Sequence, residues 1–279
     1  MAILRALWAY RGFILGSVRR EFQSRYQNSL LGMAWTVLNP LAMIVVYTVI
    51  FAQIMRSRLP GVDSTFGYSI YLCAGLLTWG LFAEITSRAQ TVFIENASLL
   101  KKLSFPRISL PFIVLGNALV NFCIVFGLFT AFLLLSGNFP GWVFAALLPV
   151  VGLMALFALG LGITLGVLNV FFRDVGQFFG IFLQFWFWLT PIVYPANVLP
   201  ERVARWLVEL NPMARLIGAC QDILVHARWP DWGRLAPVLP DWRLEPAAVF
   251  AVTPRRGEQP AKVRHALQAL QQHFAARPG

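Results

Sequence analysis

Long apolar runs separated by short charged segments are the dominant pattern along the chain. No charged residue lies between positions 27 and 55, and the 65 residues from 108 to 172 are all uncharged. A helix crosses the bilayer core with about 20 apolar residues, so both runs predict membrane-spanning helices. The longer run contains a cluster of turn residues at 136–141, and it therefore divides into two spans.

The complete pattern predicts an all-α integral membrane protein with about five transmembrane helices in a domain of residues 30–232. We place the spans at residues 31–55, 66–83, 110–135, 143–168 and 175–194. Charges interrupt every apolar stretch of residues 195–230, and a charge at the bilayer centre costs about 2.5 to 3.5 kcal/mol. We therefore expect periplasmic re-entrant or interfacial helices there, divided at Pro200 and Pro212.

Residues 1–29 have an amphipathic pattern with five arginines and one glutamate. At helical spacing, one side carries Leu4, Leu7, Trp8, Leu15, Val18 and Phe22, with Arg11 as an interruption. Most of the arginines, including Arg19, Arg20 and Arg25, lie elsewhere on the helix. This arrangement is typical of a helix that lies in the cytoplasmic interface of a membrane.

Lysine and arginine are distributed unevenly between the two sides of the membrane that these spans define. Ten of them lie in the proposed cytoplasmic segments, and two lie in the turns on the other side. This asymmetry places the N-terminus in the cytoplasm, and five spans would leave the C-terminus outside. The apolar stretch 12–18 is too short for a cleavable signal peptide, so the first span is expected to act as an uncleaved anchor.

Composition supports the membrane assignment, because 58% of the residues are hydrophobic and only 13% are charged. The net charge of +11 flanks the apolar runs and forms no single basic stripe. This distribution favours anionic lipid headgroups as partners and argues against nucleic acid. Cys73, Cys123 and Cys220 lack the spacing of a metal or redox site.

Catalytic motifs are absent from the sequence. It has no phosphate-binding loop ending in Lys-Ser or Lys-Thr and no His-Glu-x-x-His motif, and its three histidines are isolated outside the predicted spans. We therefore predict that the chain is not an enzyme and binds no metal or cofactor. Any process that this chain performs and that requires energy would therefore depend on a partner protein.

Two pairs of small or polar residues lie inside the predicted spans. Gly162 and Gly166 form a Gly-x-x-x-Gly pair, which allows close approach of another helix. Asn117 and Asn121 are one helical turn apart, and each requires a polar partner or a wet groove at this depth.

Four segments carry a more specific signal. They are residues 19–32 leading to Trp35 and Pro40, residues 99–107 followed by Leu110-Pro111, residues 169–175, and residues 187–195 followed by Asn211-Pro212. In order and spacing they resemble the permease subunits of ABC exporters for polysaccharides and polyol phosphates. The resemblance covers about residues 1–230.

The resemblance implies a permease subunit that exports a lipid-linked polysaccharide, or a similar glycan, across the bacterial inner membrane. Such a multi-pass subunit works as a homodimer with its pore at the dimer interface. A separate ATPase subunit would bind ATP and Mg and power export. Membrane lipids and the lipid-linked glycan would be the remaining partners.

The resemblance also assigns residues 89–107 as the segment that contacts the ATPase. The coupling residues would be Leu99, Leu100, Lys101, Lys102, Phe105, Pro106 and Arg107, with Arg173 and Asp174 at the turn between the fourth and fifth spans. The basic residues of this segment also suit contact with lipid headgroups. Arg173 and Asp174 also suit an ordinary charged turn. Both alternatives stay open.

Aromatic residues near the fifth span have two interpretations. Trp79, Phe185, Trp188 and Tyr194 are candidates for a substrate path or gate, where sugar rings could stack on them. Aromatic side chains near the ends of spans also form interfacial belts that contact lipid. Trp188 and Tyr194, close to Pro191 and Pro195, are the stronger gate candidates.

Residues 233–279 depart from the exporter pattern. A strand-like segment at 248–252 and a Pro-Ala-Lys-Val-Arg helix at 260–264 resemble the end of the effector domain of LysR-type transcription regulators. This short soluble α/β remnant occupies the place of the sixth span that the exporter family implies, so insertion without export is expected. Two alternatives to a glycan exporter stay open. The chain could be a drug or lipid exporter permease, or a truncated or chimeric membrane remnant that does not transport.

Overall fold

The computed structural model describes residues 10–24, 34–50, 66–98, 109–195 and 198–235. Regular structure in these ranges is helical, and none of it is strand. The predicted α/β tail lies outside the described residues beyond position 235, so it stays a prediction. The helical character of the membrane domain agrees with the expected fold class.

The helices follow the apolar pattern closely. They are α1 (Arg11–Ser24), α2 (Ala34–Thr48), α3 (Gly67–Ala89), α4 (Val92–Glu95), α5 (Ser109–Leu135), α6 (Leu147–Phe171), α7 (Asp174–Trp188), α8 (Glu201–Leu210), α9 (Pro212–His226) and α10 (Trp232–Leu235). A 3₁₀ segment, Gly141–Ala146, leads directly into α6.

Three stretches of the described chain are long and apolar enough to cross a membrane. They are α3, α5 and the continuous segment Gly141–Phe171. They correspond to the predicted spans 66–83, 110–135 and 143–168. The helix α3 continues six residues beyond the predicted end of its span, so Glu84 and Arg88 lie on its last turns.

The other two predicted spans contain shorter helices. Only 34–50 of the predicted span 31–55 is described, and α2 has 15 residues there with Pro40 inside it. In the predicted span 175–194, α7 also has 15 residues and is followed by a turn. Both are shorter than the roughly 20 residues that a perpendicular crossing requires. The count of five spans therefore stays a prediction.

The helices predicted within residues 195–230 begin where the prolines indicate. The helix α8 follows Pro200, and α9 begins at Pro212. The helix α9 is deeply packed, because Leu216, Ile217 and Ile223 are fully buried against α3 and α6. Its burial makes α9 part of the core of the bundle.

The central helix of the bundle is α3, which packs against α5, α6 and α9. Most of its residues are buried, including Phe82 and Ile85 with no exposed surface. Twenty-three residues give α3 a length of about 34 Å, close to the hydrocarbon thickness of a bilayer. It therefore connects the two ends of the bundle directly.

Two glycines let α6 approach the last turns of α3. A Cβ on Gly162 would lie 2.6 Å from the Cβ of Ala89, and a Cβ on Gly166 would lie 2.7 Å from the carbonyl oxygen of Ala89. No side chain fits at these distances without displacing a neighbour. The Gly-x-x-x-Gly pair is therefore a site of close helix packing, as the sequence predicts.

Replacing Gly162 with leucine should force α3 and α6 apart. We expect the free energy of unfolding to fall by about 1 to 3 kcal/mol, the usual cost of overpacking. A titration of the purified protein from mild detergent into SDS measures this quantity. Gly152→Leu is the matched control on α6, because a Cβ there meets no atom within 4 Å. Equal losses in the two variants would contradict the packing assignment.

Candidate functional site

Charged side chains from α1 and α3 meet at one end of the bundle, which we call the charged end. Arg88 of α3 forms a hydrogen-bonded ion pair with Glu21 of α1. The same guanidinium lies 3.5 Å from Glu84, one turn earlier on α3. One cation thus serves two carboxylates, and the side chains of Arg88 and Glu21 are only 28% and 34% exposed.

Two asparagines of α5 complete this cluster. Asn117 donates a 2.6 Å hydrogen bond to Glu21, and Asn121 donates a 3.0 Å hydrogen bond to Glu84. The one-turn spacing of Asn117 and Asn121 matches that of Glu84 and Arg88. The polar partners that the sequence requires for these asparagines are therefore carboxylates within the bundle, and a sixth span is not needed to cover them.

The helix α1 also rests on a small apolar cluster at the charged end. Its side chains Phe13, Ile14 and Val18 pack against a cluster of Ala89, Val92, Leu110, Ile113 and Val114. A Cβ on Gly116 of α5 would lie 2.8 Å from Cγ2 of Val18, so α1 and α5 are in close contact. Helices α1, α3, α4 and α5 therefore form one packed unit.

The prediction of which side of α1 packs against the bundle is partly wrong. Val18 is packed as expected, but Leu15 is 66% exposed, and Phe13 and Ile14 face the bundle in its place. Glu21 fixes the rotation of the helix, because its carboxylate must reach Arg88. Periodicity of apolar residues could not reveal this constraint, since an exposed leucine is acceptable on a surface that faces lipid.

Two cavities flank the charged cluster. A polar cavity of about 280 Å³ between α1, α3 and α5 is lined by Ser17, Glu21, Arg88, Glu95 and Asn96 together with apolar residues. A groove of about 350 Å³ between α2, α3 and α5 is mostly apolar and has Glu84 and Asn121 in its wall. The charged cluster thus lies between a polar and an apolar space.

Tyrosines of α3 hold the turn after α7 at the opposite end, which we call the tyrosine end. Tyr68 donates to the carbonyl of Val193 at 2.5 Å, and Tyr71 donates to the carbonyls of Pro191 and Tyr194 at 3.0 and 3.1 Å. These bonds satisfy backbone groups of a turn that has no helical partners. The turn is therefore fixed to α3.

Asn211 ties the same turn to α9. Its Oδ1 accepts hydrogen bonds from the backbone of Met213 and Ala214, as an N-cap, and from Nε1 of Trp186. Its Nδ2 donates to the hydroxyl of Thr190 at 2.9 Å. With 9% exposure, Asn211 is nearly enclosed by these partners. The sequence indicated Asn211-Pro212 as a motif, and the structure supplies its physical role.

The predicted gate aromatics lie on or under one surface of α7. Phe185 and Trp188 are 65% and 62% exposed, whereas Trp79 is 8% exposed and packs edge-on against Trp186 and Phe187. A shallow groove of about 340 Å³ is lined by Trp79, Leu183, Gln184, Phe187 and Trp188. Tyr194 is half-buried and donates to the carbonyl of Trp188. Their assignment to a substrate path stays a prediction.

The predicted coupling residues are only partly described. Leu99, Leu100, Lys101, Lys102, Phe105, Pro106, Arg107 and the interface residue Arg25 lie outside the described residues. Arg19 and Arg20 are exposed on α1, and their assignment to a membrane interface stays a prediction. Arg173 and Asp174 are exposed at the turn between α6 and α7. The helix α4, directly before the undescribed coupling residues, packs on α5 and α6.

Sequence reasoning missed the charged cluster as a site. The predicted span 66–83 ends before Glu84 and Arg88, and Glu21 is treated only as the single glutamate of residues 1–29. The spacing of four residues between Glu84 and Arg88, repeated by Asn117 and Asn121, was the available signal. It indicates two polar stripes of one turn each that face one another.

A match to a known protein family includes residues from both ends of this bundle. The family model for ABC-2 type transporters matches residues 14–225, from α1 to α9. The chain belongs to the ABC-2 transporter family. The matched residues include most of α1, the charged cluster and the tyrosine end.

Export permeases are among the relatives of this ABC-2 permease. It is 34% identical over 231 residues to the O-antigen export system permease protein RfbA of Myxococcus xanthus, an alignment that covers 82% of this chain and 86% of the relative. A protein of the same name from Klebsiella pneumoniae is 32% identical over 212 residues, or 74% and 78% of the two chains. The polysialic acid transport protein KpsM of Escherichia coli is 22% identical over 210 residues, with the same coverage.

Removing the shared cation should destabilise the charged end more than removing either carboxylate. Arg88→Gln removes the cation that Glu21 and Glu84 share, whereas Glu21→Gln leaves Arg88 beside Glu84. We expect Arg88→Gln to lower the free energy of unfolding by about 1 to 3 kcal/mol, and Glu21→Gln to lower it by less. The triple variant Arg88→Gln, Glu21→Gln, Glu84→Gln should regain part of the loss, because the two carboxylates are then removed together with their shared cation.

The same SDS titration measures these variants, and the exposed Glu95→Gln is the control, with an expected change within about 0.5 kcal/mol. A larger loss in Glu21→Gln than in Arg88→Gln, or strictly additive effects in the triple variant, would contradict the shared-cation arrangement.

Proposed function

We propose that this ABC-2 permease is the membrane subunit of an ABC transporter that exports a lipid-linked polysaccharide or a similar glycan across the bacterial inner membrane. The main support is the alignment with O-antigen export permeases over most of the length of both chains. The second type of relative, KpsM, carries the name of a polysialic acid transport protein. Both names refer to glycans, which favours this substrate class over drugs or lipids.

In this proposal the charged end faces the cytoplasm. The distribution of lysine and arginine supports that orientation. The coupling segment 89–107 then begins at the last residue of α3 and includes α4, and it would contact a separate ATPase that binds ATP and Mg. Because α1, α4 and the end of α3 pack on one another, a push on the coupling segment would move them together.

A second copy of the chain would complete the transport path. Exposed apolar side chains on α2, such as Leu38, Leu41 and Val45, and on α7, such as Phe178 and Phe185, need a cover of protein or lipid. We infer that the aromatic surface of α7, with Trp188 and Tyr194, borders the path at the dimer interface. Sugar rings could stack there on the exposed aromatic faces.

Export in cells tests this function. The chain is co-expressed with a candidate ABC ATPase in a bacterial strain that lacks its own O-antigen export permease. The proposal predicts surface glycan on intact cells, detected by glycan-specific antibody or lectin, and clearance of the lipid-linked precursor from the cytoplasmic face of the inner membrane. The tail of residues 233–279 predicts the opposite outcome, insertion without export. Normal insertion without surface glycan would contradict the proposal and favour the non-transporting alternative.

The double variant Leu100→Asp, Lys101→Glu gives this experiment its loss-of-function arm. Both changes lie in the coupling segment, so we expect the ATPase no longer to co-purify and export to fail while the chain still inserts. Trp229→Asp with Arg228→Glu is a matched control, since it makes the same kinds of change at two exposed positions outside that segment. Undiminished binding of the ATPase by the first variant would show that the contact lies elsewhere.

A further inference from the structure

Asn169 connects two helix ends that the chain separates by more than 80 residues. It lies on the last turn of α6 and is 4% exposed. Its Nδ2 donates a 3.0 Å hydrogen bond to the carbonyl of Gln90, the residue that ends α3. Its Oδ1 accepts a 3.2 Å hydrogen bond from the backbone N–H of Gly176 in the first turn of α7.

Each of these bonds satisfies a backbone group that a helix leaves unpaired. The carbonyl at the end of α3 and the N–H in the first turn of α7 have no partner within their own helices. A buried side chain that must donate on one side and accept on the other is well served by a primary amide. Asparagine meets this requirement, whereas aspartate would lose the donor and leucine would lose both groups.

The surroundings of Asn169 are closely packed. A Cβ on Gly176 would lie 3.1 Å from the Asn169 amide, and a Cβ on Gly166, one turn before Asn169, would lie 2.7 Å from the carbonyl of Ala89. Phe93 of α4 also contacts the Gly166 position at 3.1 Å. The ends of α3 and α6 and the start of α7 are therefore in direct contact around this one amide.

We propose that Asn169 is a positioning residue that transmits movement of the coupling segment to α7. This inference rests on the proposed function, in which the ATPase acts on the segment that starts after α3 and α7 borders the substrate path. Gln90 stands at the entry to α4, and Gly176 stands at the entry to α7. A displacement of Gln90 would move Gly176 through the Asn169 amide and through the close contact of Gly166 with the backbone of Ala89.

The test separates ATP hydrolysis from the movement of α7. Asn169→Leu and Asn169→Asp are each prepared as the full complex with the partner ATPase in lipid nanodiscs. Leu189→Cys, 54% exposed at the end of α7, serves as the reporter after the exposed Cys123 is replaced by alanine. Its labelling rate by a thiol reagent is measured with and without ATP and vanadate.

We expect the complex with native Asn169 to change its labelling rate on addition of ATP. Both Asn169 variants should lose that change while ATP hydrolysis stays within about twofold, and export in cells should fall by about tenfold or more, a loss within the range of a single coupling interaction. Thr164→Val on α6 is the control, because within the described residues its exposed hydroxyl donates to the carbonyl of Gly160 of its own helix, and it should behave as the native chain.

An unchanged ATP response in Asn169→Leu and Asn169→Asp would overturn the proposal. Parallel losses of hydrolysis, labelling response and membrane abundance would also overturn it, because they would indicate a purely structural role. Failure of the proposed glycan function has a different signature. In that case native Asn169 and the variants would all lack export, while the labelling response to ATP would still distinguish them.

Discussion

Neutralisation of Arg88 is the constraint on which the charged end depends. A guanidinium on the last turns of an apolar helix is costly unless acceptors surround it. Glu84 supplies one from the same helix, and Glu21 supplies the other from α1. The need for the second carboxylate fixes α1 against α3 and sets its rotation. Asn117 and Asn121 then bring α5 into the same arrangement by donating to both carboxylates.

Close backbone packing connects the charged end to the rest of the bundle. Gly162 and Gly166 bring α6 against Ala89, which directly follows Arg88. From there α3 runs to the tyrosine end, where Tyr68 and Tyr71 hold the turn after α7. The buried helix α3 therefore contacts both the charged end, where the proposal places the ATPase, and the turn after α7, where it places the substrate path. This arrangement suits the export function that we propose for the chain.

The sequence predicted the parts of this fold that depend on the length of apolar runs and on the positions of proline and glycine. The uncharged runs located three spans, the prolines located the starts of α8 and α9, and the Gly-x-x-x-Gly pair indicated a close packing site. It could not predict the rotation of α1, because Leu15 and Ile14 are equally apolar and only the distant Arg88 distinguishes their faces. It also ended the span 66–83 before Glu84 and Arg88, since charges usually end a span and their partners on α1 and α5 are remote in sequence.

Docking of α1 onto the bundle can be measured directly in native membranes. A Cβ on Gly116 would lie 2.8 Å from the Val18 side chain, so Val18→Cys with Gly116→Cys should form a disulfide on mild oxidation, after the three native cysteines are replaced. Leu15→Cys with Gly116→Cys is the control, because Leu15 lies one turn from Val18 but is 66% exposed. We expect rapid crosslinking of the first pair and little of the second. Equal crosslinking of both pairs, or none at Val18, would contradict the docking of α1 at the charged end.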